Sequence, residues 1–351
     1  MTNVPAAIAP AARLTGALRD LAPGVVLSAA VALAAVLSAP VVAKAAPIPA
    51  MVIALLIGIA VNPIAARPAF QPGIAFSVKK LLRWAVALLG LRIALGEIIA
   101  LGASVAALVI LGMAVTVLSG FLLARLFRQP PEYGALAGAG TAVCGASATL
   151  ATATVLPSYP GKEADVVFVV IAVNALSTVA MVLYPPLCIL LGFDAHTTGV
   201  MLGATIHDVA QVVGAGYAVS EPVGNTAVIV KLFRVFLLLP VVLAVGWWFA
   251  RAGAKTGDVK VPVPVFALVF LALCLINSAM PSLPSLDFLY APIKSALVQI
   301  STWGLLIAIA ALGLGTSLGA IRALGWRHVA TVTGTTIVIL VVATAGLVVL
   351  R

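Results

Sequence analysis

Residues 104–127 read SVAALVILGMAVTVLSGFLLARLF, and this stretch decides the fold class. It contains one charged side chain, Arg125, close to its end. An α-helix rises 1.5 Å per residue, so about 20 apolar residues cross the hydrocarbon core of a bilayer. The stretch therefore predicts a membrane-spanning helix.

The composition of the whole chain agrees with this prediction. Hydrophobic residues make up 63% of the sequence, charged residues only 9%, and the mean hydropathy is +1.24. A soluble globular chain carries roughly 25% charged residues, so this one lacks the means to cover a water-facing surface. A membrane barrel would alternate apolar and polar residues, whereas these runs are apolar throughout. We expect an all-α polytopic membrane protein.

Apolar runs of similar length recur along the chain and predict about 11 transmembrane helices. They lie near 24–42, 50–66, 80–98, 104–127, 136–158, 163–192, 198–218, 225–250, 262–280, 297–321 and 328–350. The small residues at 42–45 also fit a signal-peptide cleavage site after the first run. We expect an uncleaved first helix.

The positions of the basic residues predict an orientation. The net charge of +10 is spread between the apolar runs, which argues against a nucleic-acid partner. With the N-terminus inside, thirteen basic residues fall in inside segments: Arg13, Arg19, Arg67, Lys79, Lys80, Arg83, Arg125, Arg128, Arg251, Lys255, Lys260, Arg322 and Arg327. Four fall outside: Lys44, Lys162, Lys294 and Arg351. This is a positive-inside pattern, and it predicts a cytoplasmic N-terminus.

Two short motifs suggest an internal repeat. KLLR (80–83) opens the third span, and KLFR (231–234) lies near the start of the eighth. Five spans separate them, an odd number, so the two copies would run in opposite directions. We therefore predict an N-terminal segment with the first helix (1–45), repeat 1 with helices 2–6 (46–193) and an inverted repeat 2 with helices 7–11 (194–351).

Glycine-rich segments lie in corresponding spans of the two predicted repeats, at 138–147 in span 5 and 311–317 in span 10. Glycine inside a membrane helix indicates either close helix packing or unwinding around a ligand. Both interpretations stay open for span 10. For span 5 we favour a discontinuous helix, in which Thr141, Gly145 and Ser147 would present hydroxyl and amide groups to an anion.

Ionisable residues near mid-membrane are candidates for coupling. His207, Asp208 and Gln211 lie at the centre of span 7, where a charge requires a partner or a water-filled cavity. On a continuous helix His207 and Gln211 share one face, four residues apart, and Asp208 points away from it. A buried structural network is the alternative. The functional hypothesis is that the three residues carry a proton or hold a cation.

Two arginines lie deep enough in their spans to bind an anion. The guanidinium groups of Arg92 and Arg234 offer a bidentate fork to an oxyanion. Lys231 and Glu97 are nearer to span ends, and we expect their side chains to extend so that the charged groups reach the membrane–water interface.

No residue pattern indicates an enzyme or a cofactor. The sequence has no H-E-x-x-H or phosphate-loop motif. The cysteines lack metal-ligand spacing, lie in apolar stretches and are expected to pack in the core. They are Cys144, Cys188 and Cys274.

These segments together resemble a known family. They are KKLLR (79–83) with LGLR (89–92), GTAVCGAS (140–147), GATIHDVAQVV (203–213) and KLFRV (231–235). The chain resembles the sulfate exporter family of bacterial inner-membrane proteins, long called conserved hypothetical. Asp208 stands where that family usually has Glu. The family is similar to the bile-acid, arsenite and riboflavin transporters, which implies inverted five-helix repeats with discontinuous helices crossing near the midplane.

The residue patterns predict a secondary transporter of a small anion working by alternating access, and the resemblance implies sulfate or an organic sulfonate as the anion and the bacterial inner membrane as the location. Thr141, Gly145 and Ser147 would form the pocket together with an arginine. A proton or sodium gradient would supply the driving force. An ion channel or a membrane-embedded sensor is the alternative, and a homo-oligomer stays open.

Overall fold

The computed structural model describes residues 10–44, 50–251, 253, 264–283, 285, 287–315 and 326–350, and all regular elements in these ranges are helical. The predicted all-α membrane class is confirmed. Seven helical stretches are long and apolar enough to cross a membrane: Arg19–Val42, Gly102–Leu126, Lys162–Leu190, Glu221–Arg251, Val265–Ser282, Phe288–Gly315 and Trp326–Leu350.

The helices of the first half are α1 (Pro10–Val42), α2 (Ala50–Ala65), α3 (Gln71–Phe76), α4 (Leu82–Leu88), α5 (Leu95–Ala100), α6 (Gly102–Leu126), α7 (Pro131–Ala142), α8 (Ala146–Val155) and α9 (Lys162–Leu190). A π-helical segment, Ser77–Leu81, joins α3 to α4. The second half contains α10 (Ala195–Thr205), α11 (Val209–Val219), α12 (Glu221–Phe236), α13 (Leu238–Arg251), α14 (Val265–Ala279), α15 (Asp287–Gly315) and α16 (Trp326–Leu350).

The chain forms two compact units. Of the described residues, those between 10 and 85 and those at 302–315 form the first, and those between 86 and 301 and those at 326–350 form the second. This division by contacts differs from the predicted division into repeats at residues 45 and 193, and the repeat boundaries stay a prediction.

Close glycine packing holds the first unit together. A side-chain carbon on Gly24 of α1 would lie 2.8 Å from the Cα atom of Gly73, and one on Gly58 of α2 would lie 2.9 Å from the Cα atom of Gly313. Small residues let helix backbones approach in this way. Of the two interpretations of span 10, helix packing therefore accounts for Gly313. Residues 316 and 317 of that span lie outside the described residues.

In the second unit, α7 and α8 form a helical hairpin. A side-chain carbon on Gly140 would lie 2.5 Å from Thr149 Oγ1, whereas a continuous helix would separate these residues by about 13 Å. The chain reverses at Gly145, whose φ of +65° is a conformation that glycine adopts readily. The rings of Tyr133 and Phe168 are 6.1 Å apart, so the hairpin enters beside the beginning of α9.

Helices α10 and α11 form a second hairpin. A side-chain carbon on Gly199 of α10 would lie 3.0 Å from the Val223 carbonyl oxygen. One on Gly216 of α11 would lie 2.8 Å from the Gly224 Cα atom. Both arms therefore contact the first turn of α12, although a continuous helix would place them about 25 Å apart.

The reversal between α10 and α11 has a local cause. Ile206 and Asp208 have extended backbone conformations, and the Asp208 carboxylate caps α11 by accepting a hydrogen bond from the Ala210 amide at 2.9 Å. The prediction that His207 and Gln211 share one helix face is therefore wrong, because His207 precedes the helix that carries Gln211.

The two hairpins enter from opposite ends of α9. Cys188, near the end of α9, donates a hydrogen bond from Sγ to Met201 Sδ of α10 at 3.3 Å. The tips, residues 143–145 and 206–208, meet the middle of α9, where Ser177 Oγ accepts from the Asp208 amide at 3.0 Å. The predicted discontinuity in span 5 is present, and span 7 has one that the sequence analysis did not predict.

Candidate functional site

The tips of the two hairpins contact each other and form what we call the tip site. A side-chain carbon on Gly145 would lie 3.8 Å from the carbonyl oxygen of His207. The C-terminal ends of α7 and α10 and the N-terminal ends of α8 and α11 all lie at these tips. Positive and negative ends of helix dipoles therefore converge at one place.

Lys231 of α12 binds both tips. Its side chain is fully buried, and Nζ donates to the carbonyl oxygens of Val143 at 2.5 Å, Ile206 at 3.1 Å and His207. The expectation that its ammonium reaches the interface is therefore wrong. The free carbonyls at the helix breaks attract the ammonium inward more strongly than the interface does.

Arg234, one turn later, is also fully buried and joins the ends of α7 and α10. Its Nε donates to Ala142 O at 3.0 Å and its Nη2 to Thr141 O at 2.9 Å. Its Nη1 donates to Gly203 O at 2.9 Å and to Ile206 O at 3.0 Å. Four of the five guanidinium N–H groups are thus engaged by backbone carbonyls. The predicted anion-binding role of Arg234 stays a prediction, with one N–H group left for it.

His207 presents an unoccupied ring nitrogen at the tip site. Its Nε2 lies 3.0 Å from Thr336 Oγ1, and that hydroxyl donates its own hydrogen to Val332 O. Nδ1 is buried and has no partner at hydrogen-bonding distance and angle among the described residues.

Gln211 is also buried and incompletely paired. Its Nε2 lies 3.4 Å from both Asn174 Oδ1 and Thr178 Oγ1 on α9. Its Oε1 is buried without a partner in the part of the chain that the structure describes. Buried polar atoms without partners are uncommon, and they indicate a place where a ligand or ordered water binds.

The three predicted pocket residues of span 5 lie at or beside the first tip. Thr141 is fully buried and its Oγ1 is 2.9 Å from Thr335 Oγ1 of α16. Gly145 precedes α8, whose first turn has no side-chain cap, and Ser147 in that turn is half-buried. The two helix N-termini at the tip site therefore differ, because Asp208 caps α11 with a carboxylate.

Arg92 belongs to a different cluster. Its Nε lies 3.5 Å from Glu221 Oε1, and its guanidinium lies 5.7 Å from the ring centre of Tyr217. Asn225 extends the cluster by accepting from the Tyr217 hydroxyl at 2.8 Å and donating to Glu97 Oε2 at 3.3 Å. This group lies where α11 ends and α12 begins. The structure does not bring Arg92 together with the residues of the tip site.

A third polar group closes the base of the first hairpin. Asp165 accepts from the Tyr159 hydroxyl at 3.1 Å and lies 3.3 Å from His328 Nε2. Burial, and then the neighbouring Asp165 carboxylate, raise the pKa of Tyr159. Tyr133 donates from its hydroxyl to His328 O at 2.9 Å. These bonds tie α7, α9 and α16 together where the hairpin enters.

Known proteins of similar sequence support membrane character. The profile of a family described as conserved hypothetical protein 698 matches residues 23–332. The UPF0324 membrane protein TauZ of Paracoccus pantotrophus is 45% identical over 305 residues, covering 85% of this chain and 88% of its own. A UPF0324 membrane protein of Rhizobium meliloti is 40% identical over 95% and 94% of the two chains. One of Chlorobaculum tepidum is 38% identical over 86% and 83%.

Proposed function

We propose that this chain, which belongs to the conserved hypothetical protein 698 family, is a secondary transporter that moves a small anion by alternating access. The observation that carries the proposal is the meeting of two opposed hairpin tips around two fully buried cations. Irregular backbone at membrane depth is tolerated where it is buried in protein or lines a cavity. Discontinuous helices that meet near the midplane are typical of secondary transporters.

The hairpins support a specific topology. If each hairpin returns to the side from which it enters, the chain crosses the membrane nine times and not eleven. Lys162 then moves from an outside to an inside segment, and the distribution of basic residues changes from thirteen inside and four outside to fourteen inside and three outside. The improved split favours a cytoplasmic N-terminus in the inner membrane. One hairpin falls in each predicted inverted repeat.

The charge of the tip site favours an anion. With Lys231 and Arg234 protonated and Asp208 ionised, the formal charges of the tip site sum to +1. An uncompensated buried charge costs several kcal/mol, so a bound monoanion stabilises the site. The uncapped N-terminus of α8 at Gly145 and Ser147 offers amide groups for its oxygens. An organic sulfonate has the matching single charge.

His207 is the proposed carrier of the coupling proton. A proton on the free Nδ1 raises the charge of the tip site by one, and the site then balances a dianion such as sulfate. Asp208 and Gln211 Oε1 adjust the same site, and they would be the ligands if sodium were the coupling ion instead. No catalytic step and no cofactor form part of this proposal.

Uptake into proteoliposomes tests the function. We expect saturable uptake of radiolabelled sulfate or methanesulfonate that unlabelled anion inside the vesicles accelerates. Ser147→Ala should raise the KM for uptake, whereas Ser119→Ala, a half-buried serine of α6, should not. Conductive flux that is not accelerated by internal anion would instead establish a channel.

The coupling residues have their own test in the same vesicles. We expect His207→Ala combined with Asp208→Asn to remove the pH dependence of uptake while leaving exchange of anion for anion measurable. A pH profile unchanged in this variant would contradict the proposed coupling. Absence of both uptake and anion-induced thermal stabilisation with any oxyanion would contradict the transport proposal itself.

A further inference from the structure

A long apolar groove runs between α6 and α13 and encloses about 360 Å³. Ile110 and Leu237 line one end, and Phe121 and Trp248, whose ring centres are 5.9 Å apart, line the other. The eleven residue-to-residue steps from Ile110 to Phe121 rise about 16 Å along the helix. That distance is close to half of the roughly 30 Å hydrocarbon core, which is the depth of one leaflet.

The groove has a cause in the sequence. Pro240 lacks an amide hydrogen, so the carbonyl of Phe236 receives no helical hydrogen bond from it. The helix is interrupted at Leu237, between α12 and α13. Leu237 and Pro240 both line the groove, so the interruption shapes its wall.

Two cations flank the end of the groove at Phe121 and Trp248. Arg125 follows Phe121 by one helical turn, and Arg251 is the last residue of α13. Both are exposed, and neither forms an ion pair with an acidic side chain in the ranges that the structure describes. Trp247 is exposed beside the Arg251 guanidinium, which lies 5.3 Å from its ring centre. Tryptophan at a helix end is typical of the membrane–water interface.

We propose that this groove binds an anionic phospholipid, with one acyl chain between α6 and α13 and the headgroup phosphate at Arg125 and Arg251. The groove matches the apolar length of one leaflet, and guanidinium groups bind phosphate through charge-assisted hydrogen bonds. The opposite end of the groove, at Ile110 and Leu237, is apolar and lies at mid-membrane depth. The proposal requires a membrane-spanning chain but not the proposed transport activity.

Native mass spectrometry of the delipidated protein in detergent tests the headgroup contact. We expect phosphatidylglycerol to bind more tightly than phosphatidylcholine of the same acyl chains. Each arginine near the membrane surface attracts an anionic headgroup electrostatically. Arg125→Gln or Arg251→Gln removes one such attraction and should weaken phosphatidylglycerol binding by about fivefold. Arg67→Gln, which removes the same charge from an exposed position of the first unit, should leave binding unchanged.

A second variant tests the acyl-chain contact. Ala114 lines the groove from α6 and is exposed, so Ala114→Trp should fill the groove and weaken binding of both lipids. Ala107→Trp, at an exposed position of α6 outside the groove, is the matched control. A melting temperature equal to that of the parent in lipid-free detergent shows that the variant folds. If Ala114→Trp unfolds, Ala244→Trp fills the groove from α13.

Three outcomes would overturn the proposal. Equal affinity for the two lipids would contradict selectivity for an anionic headgroup. Affinity unchanged by both arginine substitutions would contradict the placement of the headgroup at Arg125 and Arg251. A groove-filling variant that converts a dimer to a monomer without changing lipid binding would assign the groove to a second copy of the chain.

Discussion

Lys231→Met is the substitution that most directly tests how the tip site is held together. The change keeps an unbranched side chain, one heavy atom shorter, and removes the ammonium that binds both tips. Ile206 O keeps its bond to Arg234, whereas the carbonyls of Val143 and His207 lose the Lys231 ammonium. We expect both tips to become less stable together.

The size of the effect follows from two opposing contributions. A buried carbonyl left without a partner costs about 1–3 kcal/mol, so two of them cost roughly 2–6 kcal/mol. Removing a fully buried ammonium relieves its desolvation, which offsets part of this loss. We expect the cost of the two unpaired carbonyl groups to exceed the relieved desolvation, because the apolar methionine side chain offers no replacement hydrogen-bond donor. We therefore expect a net destabilisation of about 2–4 kcal/mol.

A native thiol at the first tip provides the assay. Cys144 is buried between Val143 and Gly145, so its rate of maleimide labelling reports opening of the tip. In a background with Cys188→Ala and Cys274→Ala, Lys231→Met should increase the labelling rate at least tenfold, since about 1.4 kcal/mol is a factor of ten in an equilibrium. Lys80→Met, at the exposed lysine of the KLLR motif, is the matched control.

An equal response of the two lysine variants would contradict the role of Lys231. If Lys231→Met and Lys80→Met give the same melting temperature and the same Cys144 labelling rate, Lys231 does not hold the tips. An effect on melting temperature alone would place its contribution elsewhere in the second unit.

Five further substitutions have defined expectations in thermal unfolding and uptake measurements. Gly313→Ala would place a carbon 3.0 Å from the Gly58 Cα atom and should lower stability by about 1–3 kcal/mol, whereas Gly315→Ala, with 3.6 Å of room, should change little. Gly145→Ala forces a side chain into φ +65° and should cost about 1–3 kcal/mol; stability equal to that of Gly315→Ala would contradict this. Asp208→Ala and Asp194→Ala each remove a helix cap worth about 1 kcal/mol, and only Asp208→Ala should also alter uptake.

The helical membrane class could be predicted from composition because apolar runs of bilayer length have few other stable structures. The two hairpins could not be predicted as hairpins. Each pair of short helices, α7 with α8 and α10 with α11, has nearly the length of one span. Hydropathy averaged over about 20 residues does not distinguish a crossing from a return.

Local signals for both reversals were nevertheless present. Gly145 follows a glycine-rich run, which predicts a discontinuity. Asp208 stands directly before an apolar run, which is the pattern of a helix N-cap as well as of an ionisable group in a span. The environment of Lys231 could not be read locally, because its carbonyl partners lie 24 to 88 residues away in sequence. The same holds for the pairing of Arg92 with Glu221.

Because both buried cations belong to α12, the movements of the two hairpins are coupled. Lys231 donates to Ile206 O of the second hairpin and to Val143 O of the first. Arg234 likewise donates to Ile206 O and to Ala142 O of the first hairpin. A displacement of α12 that lengthens its bonds to one hairpin therefore alters its bonds to the other. The hairpins enter from opposite ends of α9, and this common anchor makes their positions thermodynamically dependent. In the proposed alternating-access cycle, mutual exclusion of access from the two sides of the membrane would then be a property of a single helix.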